Sequence, residues 1–236
     1  MRLYLMKLAT SAGSGAPVPG YLIQADDGTN VLVDTGFPRD RALLPEGARS
    51  GFVVEPGQHA VEQLARIGIA PGDVQYVVLT HMDIDHAGCN PDFPDAELVV
   101  QRRHYEAGLN GLQRLQVLRP YWDRPELRYR LVDGDTTLLP GIDLIESSGH
   151  VVGHQAVLVR LRETGPVLLA ADAISRPEHM DADTRPIGMY DEDAAATRAS
   201  TRKLLDLAAR EDVKLIVRGH DAEQWASLRL LPELYA

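Results

Sequence analysis

The segment Thr80-His81-Met82-Asp83-Ile84-Asp85-His86-Ala87-Gly88 places four potential metal ligands within six residues, directly after the apolar run Val77-Val78-Leu79. Two imidazoles and two carboxylates crowded at a strand end repel one another or demand desolvated hydrogen bonds, unless a multiply charged cation neutralises them. A solvated turn rich in Asp and His is the bland alternative. It leaves unexplained why more candidate ligands follow in matching context. Gly149-His150 comes after a run ending at Glu146, Asp172 comes after Val167 to Ala171, and Gly219-His220-Asp221 comes after Leu215-Ile216-Val217. Each stands where a strand gives way to a loop, the place from which side chains converge over a sheet edge. Taken singly, His150 reads equally well as a hydrogen-bonded loop histidine, and Asp172 reads better as a cap or turn. Taken with the first cluster, they point to a metal centre assembled from several strand ends.

Positioning such a centre requires strands. Short β-rich runs recur at Arg2 to Leu8, Tyr21 to Gln24, Val31 to Asp34, Gln75 to Leu79, Glu97 to Gln101, Tyr129 to Val132, Leu144 to Glu146, Ala156 to Arg160, Val167 to Ala170 and Lys214 to Val217. Asp26-Asp27-Gly28, Asp133-Gly134-Asp135 and Pro140-Gly141 read as hairpin turns. Helical periodicity predicts helices over His59 to Ile67 and Ala194 to Ala209, the second capped by Asp193 or Asp191. Leu112, Leu115 and Leu118 hint at a helix or lid within Gly108 to Pro125. Strands in two blocks, each followed by helix, predict an α/β protein: a four-layer αββα sandwich with the metal site along one edge.

A chain of 236 residues, 44% hydrophobic and 25% charged, fits one domain over 1–236 with a sizeable core. The formal net charge of -10 argues against a nucleic-acid partner, because Arg102-Arg103 is too small a basic patch to reverse it. No apolar run approaches the ~20 residues that cross a bilayer, and Arg2 and Lys7 interrupt the first apolar stretch, so neither a membrane association nor a secretory signal is expected. A single cysteine, Cys89, cannot close an internal disulfide, which fits a cytoplasmic location. It reads as a small buried side chain rather than a ligand.

The order of these pieces resembles the metallo-β-lactamase superfamily over nearly the whole chain, and within it the N-acyl homoserine lactonase family. The likeness rests on LVDTG at Leu32 to Gly36, THMDIDHAG at Thr80 to Gly88, VVQRRHYEAGL at Val99 to Leu109, SGHVVGHQ at Ser148 to Gln155, LLAADA at Leu168 to Ala173 and GHDAEQ at Gly219 to Gln224. The resemblance implies two divalent metal ions, zinc in the first instance. One would take His81, Asp83 and His150, the other Asp85, His86 and His220, with Asp172 bridging them. The chain departs from the family pattern at Asp83, where the pattern has histidine. An aspartate still offers an oxygen to zinc, but a third carboxylate favours manganese or iron relative to zinc. It departs again at Ser175, where the pattern has a tyrosine that hydrogen-bonds the lactone carbonyl. Tyr190 is a candidate replacement donor. At Ile84 an aliphatic side chain replaces an aromatic one.

Four further residues carry structural expectations. Asp34 resembles a carboxylate that holds a ligand histidine in its tautomer. His154 is expected to orient backbone around the site, and His104 and His59 to be surface or hydrogen-bonded histidines on helices.

The resemblance implies a metal-dependent hydrolase that opens a lactone or related ester through a metal-bridging hydroxide, with Asp85 passing a proton to the leaving alkoxide. Ligand histidines must be neutral, so activity is expected to fall below roughly pH 6 with loss of metal. Two alternatives stay open: a hydrolase of thioesters, phosphotriesters or β-lactams, and a non-catalytic metal-containing binding or regulatory protein. No nucleotide-binding loop follows a strand, which argues against redox chemistry. The partner expected is a small-molecule lactone or ester, and the oligomeric state is left as monomer or homodimer.

Overall fold

Alternation of side chains along the strands decides the architecture, because the central strands of both sheets bury both of their faces. A computed structural model describes residues 1–236 apart from Leu43, Pro45 and the side chain of Ala48. The first sheet comprises β1 (Arg2–Ser11), β2 (Pro17–Gln24), β3 (Asn30–Val33), β4 (Phe52–Val53), β5 (Tyr76–Val78), β6 (Glu97–Gln101) and β7 (Arg128–Val132). Their order is β4-β1-β2-β3-β5-β6-β7, antiparallel from β4 to β3 and parallel from β3 to β7. The second sheet comprises β8 (Thr136–Leu139), β9 (Ile142–Glu146), β10 (Gln155–Leu161), β11 (Gly165–Ala171) and β12 (Leu215–Arg218), in the order β12-β11-β10-β9-β8. Only β11 and β12 pair in parallel there, which requires a crossover. The long helix between them provides it.

Helices are α1 (Glu46–Ser50), α2 (Ala60–Ala65), α3 (Ile84–Ala87), α4 (Arg102–Leu109), α5 (Gln113–Gln116), α6 (Arg119–Trp122), α7 (Ala194–Arg210) and α8 (Ala222–Ser227). Leu3 and Leu5 of β1 and Val99 of β6 meet Val157, Val159 and Leu169 of the second sheet in the central core. Their alternate neighbours Tyr4, Met6, Leu98 and Val100 face outward onto Leu64 of α2, Leu115 of α5 and Trp122 of α6. On the far side, Ala156, Leu158 and Leu168 pack against Leu204 and Leu207 of α7. The result is the expected αββα sandwich. Tyr4 and Met6 are core residues.

Both helices expected from periodicity form, and Asp193 caps α7 by accepting from the backbone N–H groups of Ala195 and Ala196 at 2.9 Å each. Asp191 does not cap. The turns at Asp26-Asp27-Gly28 and Pro140-Gly141 join antiparallel neighbours as expected. Asp133-Gly134-Asp135 does not: it carries the chain from β7 in one sheet to β8 in the other. The stretch from Gly108 to Pro125 forms two short helices, α5 and α6, pinned by Trp122, whose indole N–H donates to the Leu115 carbonyl at 3.0 Å. Among the described residues, no helix is long and apolar enough to cross a membrane.

The two sheets are stitched together at the edge where the candidate ligands lie. Gln155, fully buried at the start of β10, donates to the carbonyls of Leu79 (2.8 Å) and Val99 (3.2 Å) across the sandwich and accepts from Gln101 at 3.0 Å. Its backbone N–H donates to the Thr80 carbonyl at 2.9 Å. Replacing this amide by an apolar side chain strands several buried partners. Gln155→Leu is expected to cost about 2–4 kcal/mol of stability, because each stranded group loses its bond without regaining water. Chemical denaturation of metal-loaded wild type and variant measures this; a loss under about 0.5 kcal/mol would show that the amide is dispensable.

Candidate metal centre

Every candidate ligand lies just beyond the carboxyl end of a strand or in the loop that follows it. His81 follows β5, and Asp83, Asp85 and His86 run on into α3. His150 follows β9, Asp172 directly follows β11 and His220 follows β12. Ala171, at the end of β11, has φ +45, a left-handed conformation coinciding with a register shift against β12. Such a kink turns Asp172 off the ladder and toward the sheet edge. Gly219 fits here because a Cβ on it would lie 2.6 Å from the Ala171 carbonyl oxygen. Gly149 is held to glycine by φ +140 and by the Thr197 backbone nitrogen, 2.3 Å from where its Cβ would sit. This places the His150 loop against the first turn of α7.

The donors converge in two groups. His81, His150 and Asp172 form one, Asp85, His86 and His220 the other, and within each group the ligand atoms lie within 4.8 Å of one another. Asp172 Oδ2 lies 3.2 Å from His150 Nε2 and 4.0 Å from His81 Nε2, while Oδ1 lies 2.9 Å from His220 Nε2 and 3.6 Å from His86 Nε2. One carboxylate therefore faces both groups, one oxygen to each. Asp83 stands outside these two mutually close sets, although its Oδ2 lies 3.4 Å from His81 Nε2 and 3.7 Å from His150 Nε2. Asp85 Oδ2 is 3.6 Å from His86 Nε2.

A metal suits this pocket because donor atoms are left without other work. His81 Nε2, His86 Nε2 and Asp172 Oδ1 are buried and make no hydrogen bond; Asp172 Oδ1 and His220 Nε2 are close but not aligned for one. Orphaned buried acceptors are rare unless something absent from the protein itself satisfies them. Each ring is held by its other nitrogen. His86 Nδ1 bonds Asp34 Oδ2 at 2.7 Å, His220 Nδ1 bonds the Pro17 carbonyl at 2.7 Å and His150 Nδ1 bonds Asp191 Oδ1 at 3.2 Å. His81 Nδ1 meets Thr80 Oγ1 at 3.1 Å, and that hydroxyl donates to Asp34 Oδ2 at 2.8 Å. The carbonyl and carboxylate partners accept, so the proton sits on Nδ1 and the Nε2 lone pair faces inward.

Without cations, the pocket's charges distort one another strongly. Burial lowers the pKa of His86, but Asp85, Asp34 and Asp172 outweigh it and push it up to about 10. For His150, too, burial is outweighed by Asp172, Asp191 and Asp83, and its pKa rises to about 9. His81 goes the other way, down to about 3, through burial and the neighbouring His86. Asp172 and Asp83 are both held well below the usual carboxylate range despite burial, by His220, His150 and His86 for the first and by His81, His150 and Arg114 for the second. These carboxylates are therefore held as anions by the cationic groups around them.

Other residues take structural parts. His154 accepts from the Asp172 backbone N–H at 3.3 Å and reaches Ser147 Oγ at 2.9 Å, so it orients the backbone beside the centre. His104 is fully buried rather than on the surface; it accepts from the Met82 N–H at 2.8 Å and bonds the Val152 carbonyl at 2.7 Å. His59 sits at the N-cap of α2, half-buried. Cys89 is buried, its thiol donating to the Phe37 carbonyl at 2.8 Å. Ser175 Oγ lies 3.2 Å from His179 Nδ1, while Tyr190 is 68% exposed on the loop before α7.

Two contributors escape sequence reasoning. Asp191 carries a cap-like signal but holds His150. Arg114 of α5 donates through Nε to Asp83 Oδ1 at 2.9 Å and through Nη2 to Asp83 Oδ2. No local pattern announces it, since 31 residues separate the pair.

The family model described as Metallo-beta-lactamase superfamily matches residues 14–220. An N-acyl homoserine lactonase of Bacillus thuringiensis is 34% identical over 228 residues, covering 92% of this chain and 86% of that protein. N-acyl homoserine lactonase AttM of Rhizobium radiobacter is 31% identical, covering 100% of this chain and 99% of that one. A solved N-acyl homoserine lactone hydrolase with the product N-hexanoyl-L-homoserine bound at its catalytic metal center superposes with a TM-score of 0.86 at 29% identity, over 99% of this chain and 98% of the other. With the sandwich, the ligand order and these matches in agreement, the chain belongs to the metallo-beta-lactamase superfamily and, within it, to the N-acyl homoserine lactonase family.

Proposed function

We propose that this metal-dependent hydrolase opens the lactone ring of N-acyl homoserine lactones at a two-ion centre held by His81, Asp83 and His150 on one side and Asp85, His86 and His220 on the other, with Asp172 between. The observation that carries the reading is the division of Asp172 between two imidazole pairs, one oxygen toward each. Two divalent ions, zinc in the first instance, supply Lewis acidity when bound and lower the pKa of water from about 15.7 toward about 7. The chain's own groups do the rest. Asp34, Asp191, Thr80 and the Pro17 carbonyl keep four Nε2 lone pairs turned inward. Asp85, with 17% of its side chain exposed, is the carboxylate placed to take a proton and return it to the leaving alkoxide. Ser175 is too short to reach a bound carbonyl as a tyrosine would, and its hydroxyl lies against His179. An open surface depression of about 230 Å³ beside His220, lined by Ser14, Ala16, Arg176 and Pro177, adjoins the second set of candidate ligands. The small partner is a neutral ester, consistent with a chain of net charge -10 that carries no large basic patch. We place the protein in the cytoplasm on its lone, buried cysteine.

Three outcomes test this. Given a panel of homoserine lactones, aryl esters, thioesters, paraoxon-type triesters and a β-lactam, the metal-loaded protein should show its highest kcat/KM on the lactones, by about 100-fold or more, roughly 2.7 kcal/mol of transition-state preference. Higher kcat/KM on another class, or turnover unchanged after verified removal of metal, would reject the assignment. Asp85→Asn should lower lactone kcat by about 10²–10⁴-fold, as loss of a proton-transfer group does; a variant within threefold of wild type, its metal content confirmed, removes Asp85 from that role. Finally, metal must displace protons from His86 and His150, whose pKa values lie at about 10 and about 9 in the metal-free pocket. Raised values mean that protons compete more strongly as pH falls. Apparent metal affinity should therefore rise by at least about tenfold per pH unit between roughly pH 6 and 8, with proton release seen by calorimetry in buffers of different ionisation enthalpy. A flat pH profile would contradict the protonation scheme.

A further inference from the structure

The first metal group contains a residue that is out of place by charge. Asp83, Asp85 and Asp172 bring three carboxylates to one pocket, where a neutral donor at position 83 would leave two. We propose that Arg114 is the positioning residue that makes an aspartate workable as a metal ligand at position 83, by fixing its carboxylate and cancelling its charge. The proposal rests on the two-ion reading given above.

Three observations carry it. First, Asp83 is shaped as a ligand: its Oδ2 lies 3.4 Å from His81 Nε2 and 3.7 Å from His150 Nε2. Those are the separations expected of donors each about 2.0–2.2 Å from one cation. Although Asp83 occupies the N-cap position of α3, its side chain makes no cap hydrogen bond and is free for other use. Second, both Asp83 oxygens accept from a single guanidinium, through Nε at 2.9 Å and through Nη2. A planar fork fixes the orientation of a carboxylate as a lysine ammonium cannot. A carboxylate so paired is close to neutral as a unit, the charge an imidazole would bring. Third, the same guanidinium reaches the rest of the first site. Its Nη1 donates to the carbonyls of His150 (3.2 Å) and Tyr190 (2.9 Å) and lies 3.4 Å from Glu192 Oε1, and its Nη2 lies 3.3 Å from His150 Nε2. Arg114 and Asp83 side chains are 20% and 18% exposed, so solvent screens their pairing only in part. Arg114 thus ties α5 to the Asp83 turn, the His150 loop and the segment before α7, three pieces that are distant in sequence.

The test reads metal rather than turnover. Wild type, Arg114→Met, Arg114→Lys and the double variant Asp83→His with Arg114→Met are loaded with zinc, checked for folding by circular dichroism, and followed by elemental analysis and by transfer of zinc to a chromophoric chelator. Wild type should hold two ions per chain. Arg114→Met should fall toward one, or lose one ion about 10–100-fold faster, the size of effect seen when a group orienting a ligand is removed. Arg114→Lys should fall between the two, and the double variant should regain wild-type retention, because a neutral imidazole needs no counter-cation. Arg114→Met losing metal at the wild-type rate, or a double variant as leaky as Arg114→Met alone, overturns the proposal; the latter would mean that Arg114 acts only by bracing the loops. Should Arg114→Met not fold, Arg114→Lys decides: faster zinc loss than wild type supports the proposal, and an unchanged rate overturns it. A wild type that binds no zinc is a different result, and rejects the two-ion reading itself.

Discussion

A single buried carboxylate organises this protein. Asp172 is 9% exposed and has two imidazoles within 4.0 Å of each oxygen or closer, a position that is expensive unless positive charge meets it on both sides. Its placement is built into the backbone. Ala171 adopts φ +45, which costs an L-residue roughly 1–2 kcal/mol. The Asp172 N–H is then taken up by His154, and the neighbouring turn of β12 can come close only because position 219 carries no side chain. Asp34, at φ +58, repeats the device at the end of β3 and bonds both Thr80 and His86. Two left-handed non-glycine residues thus flank the same pocket, strain held in place by the sandwich behind it.

The histidines around Asp172 divide by what their ring nitrogens meet. His104 and His154 accept backbone N–H bonds, from Met82 and Asp172, and burial drives their pKa values down, to about 4 for His104 and well below the ordinary range for His154. Such rings stay neutral and serve as scaffold. With the inward nitrogen His86 meets carboxylates and other imidazoles, His150 meets these and Arg114 Nη2 at 3.3 Å, and the carboxylates raise the pKa values of both. The same side chain therefore plays opposite parts a few residues apart, in His150 and His154 of one motif. What separates them is whether a backbone amide or an anion waits at Nε2.

That distinction explains what was legible from sequence. Apolar runs gave away ten strands because burial on both faces leaves little freedom of residue choice; Glu97–Gln101 was recovered to the residue. Phe52–Val53 and Thr136–Leu139 were missed, one too short to show alternation and the other with a polar start. The turn at Asp133-Gly134-Asp135 looks like a hairpin because turn chemistry is local, whereas the change of sheet it performs is not. In the site, the residues that the structure gathers at the strand ends were readable because motif and strand lie side by side. For His104 the sequence left open a surface or a hydrogen-bonded place, because a helix of mixed composition does not reveal which of its polar residues faces inward, and the structure shows the second. Asp191 looked like a cap, and its true partner lies 41 residues away. Arg114 carries no local signal at all, since a counter-charge is recognisable only once the charge it answers is beside it.

Rigid and adaptable parts of the centre come from different kinds of chain. The candidate ligands stand on strand ends that Gln155 and the two left-handed turns hold in position, so their arrangement is set by the core. The mouth is made instead by α5, by the loop carrying Tyr190 and by Ile84, with Met189 and Tyr190 exposed at 88% and 68%. The exposed residues among these answer to few packing constraints and can change without disturbing the sheets, although Leu115 of α5 is fully buried in the core. The departures at Ile84 and Ser175 alter the wall of the site, whereas the one at Asp83 alters its charge. A wall can change alone, because water or substrate fills the difference. A charge at the centre of a desolvated pocket cannot, and in this protein its answer comes from Arg114, reaching from the mouth back toward the strand ends.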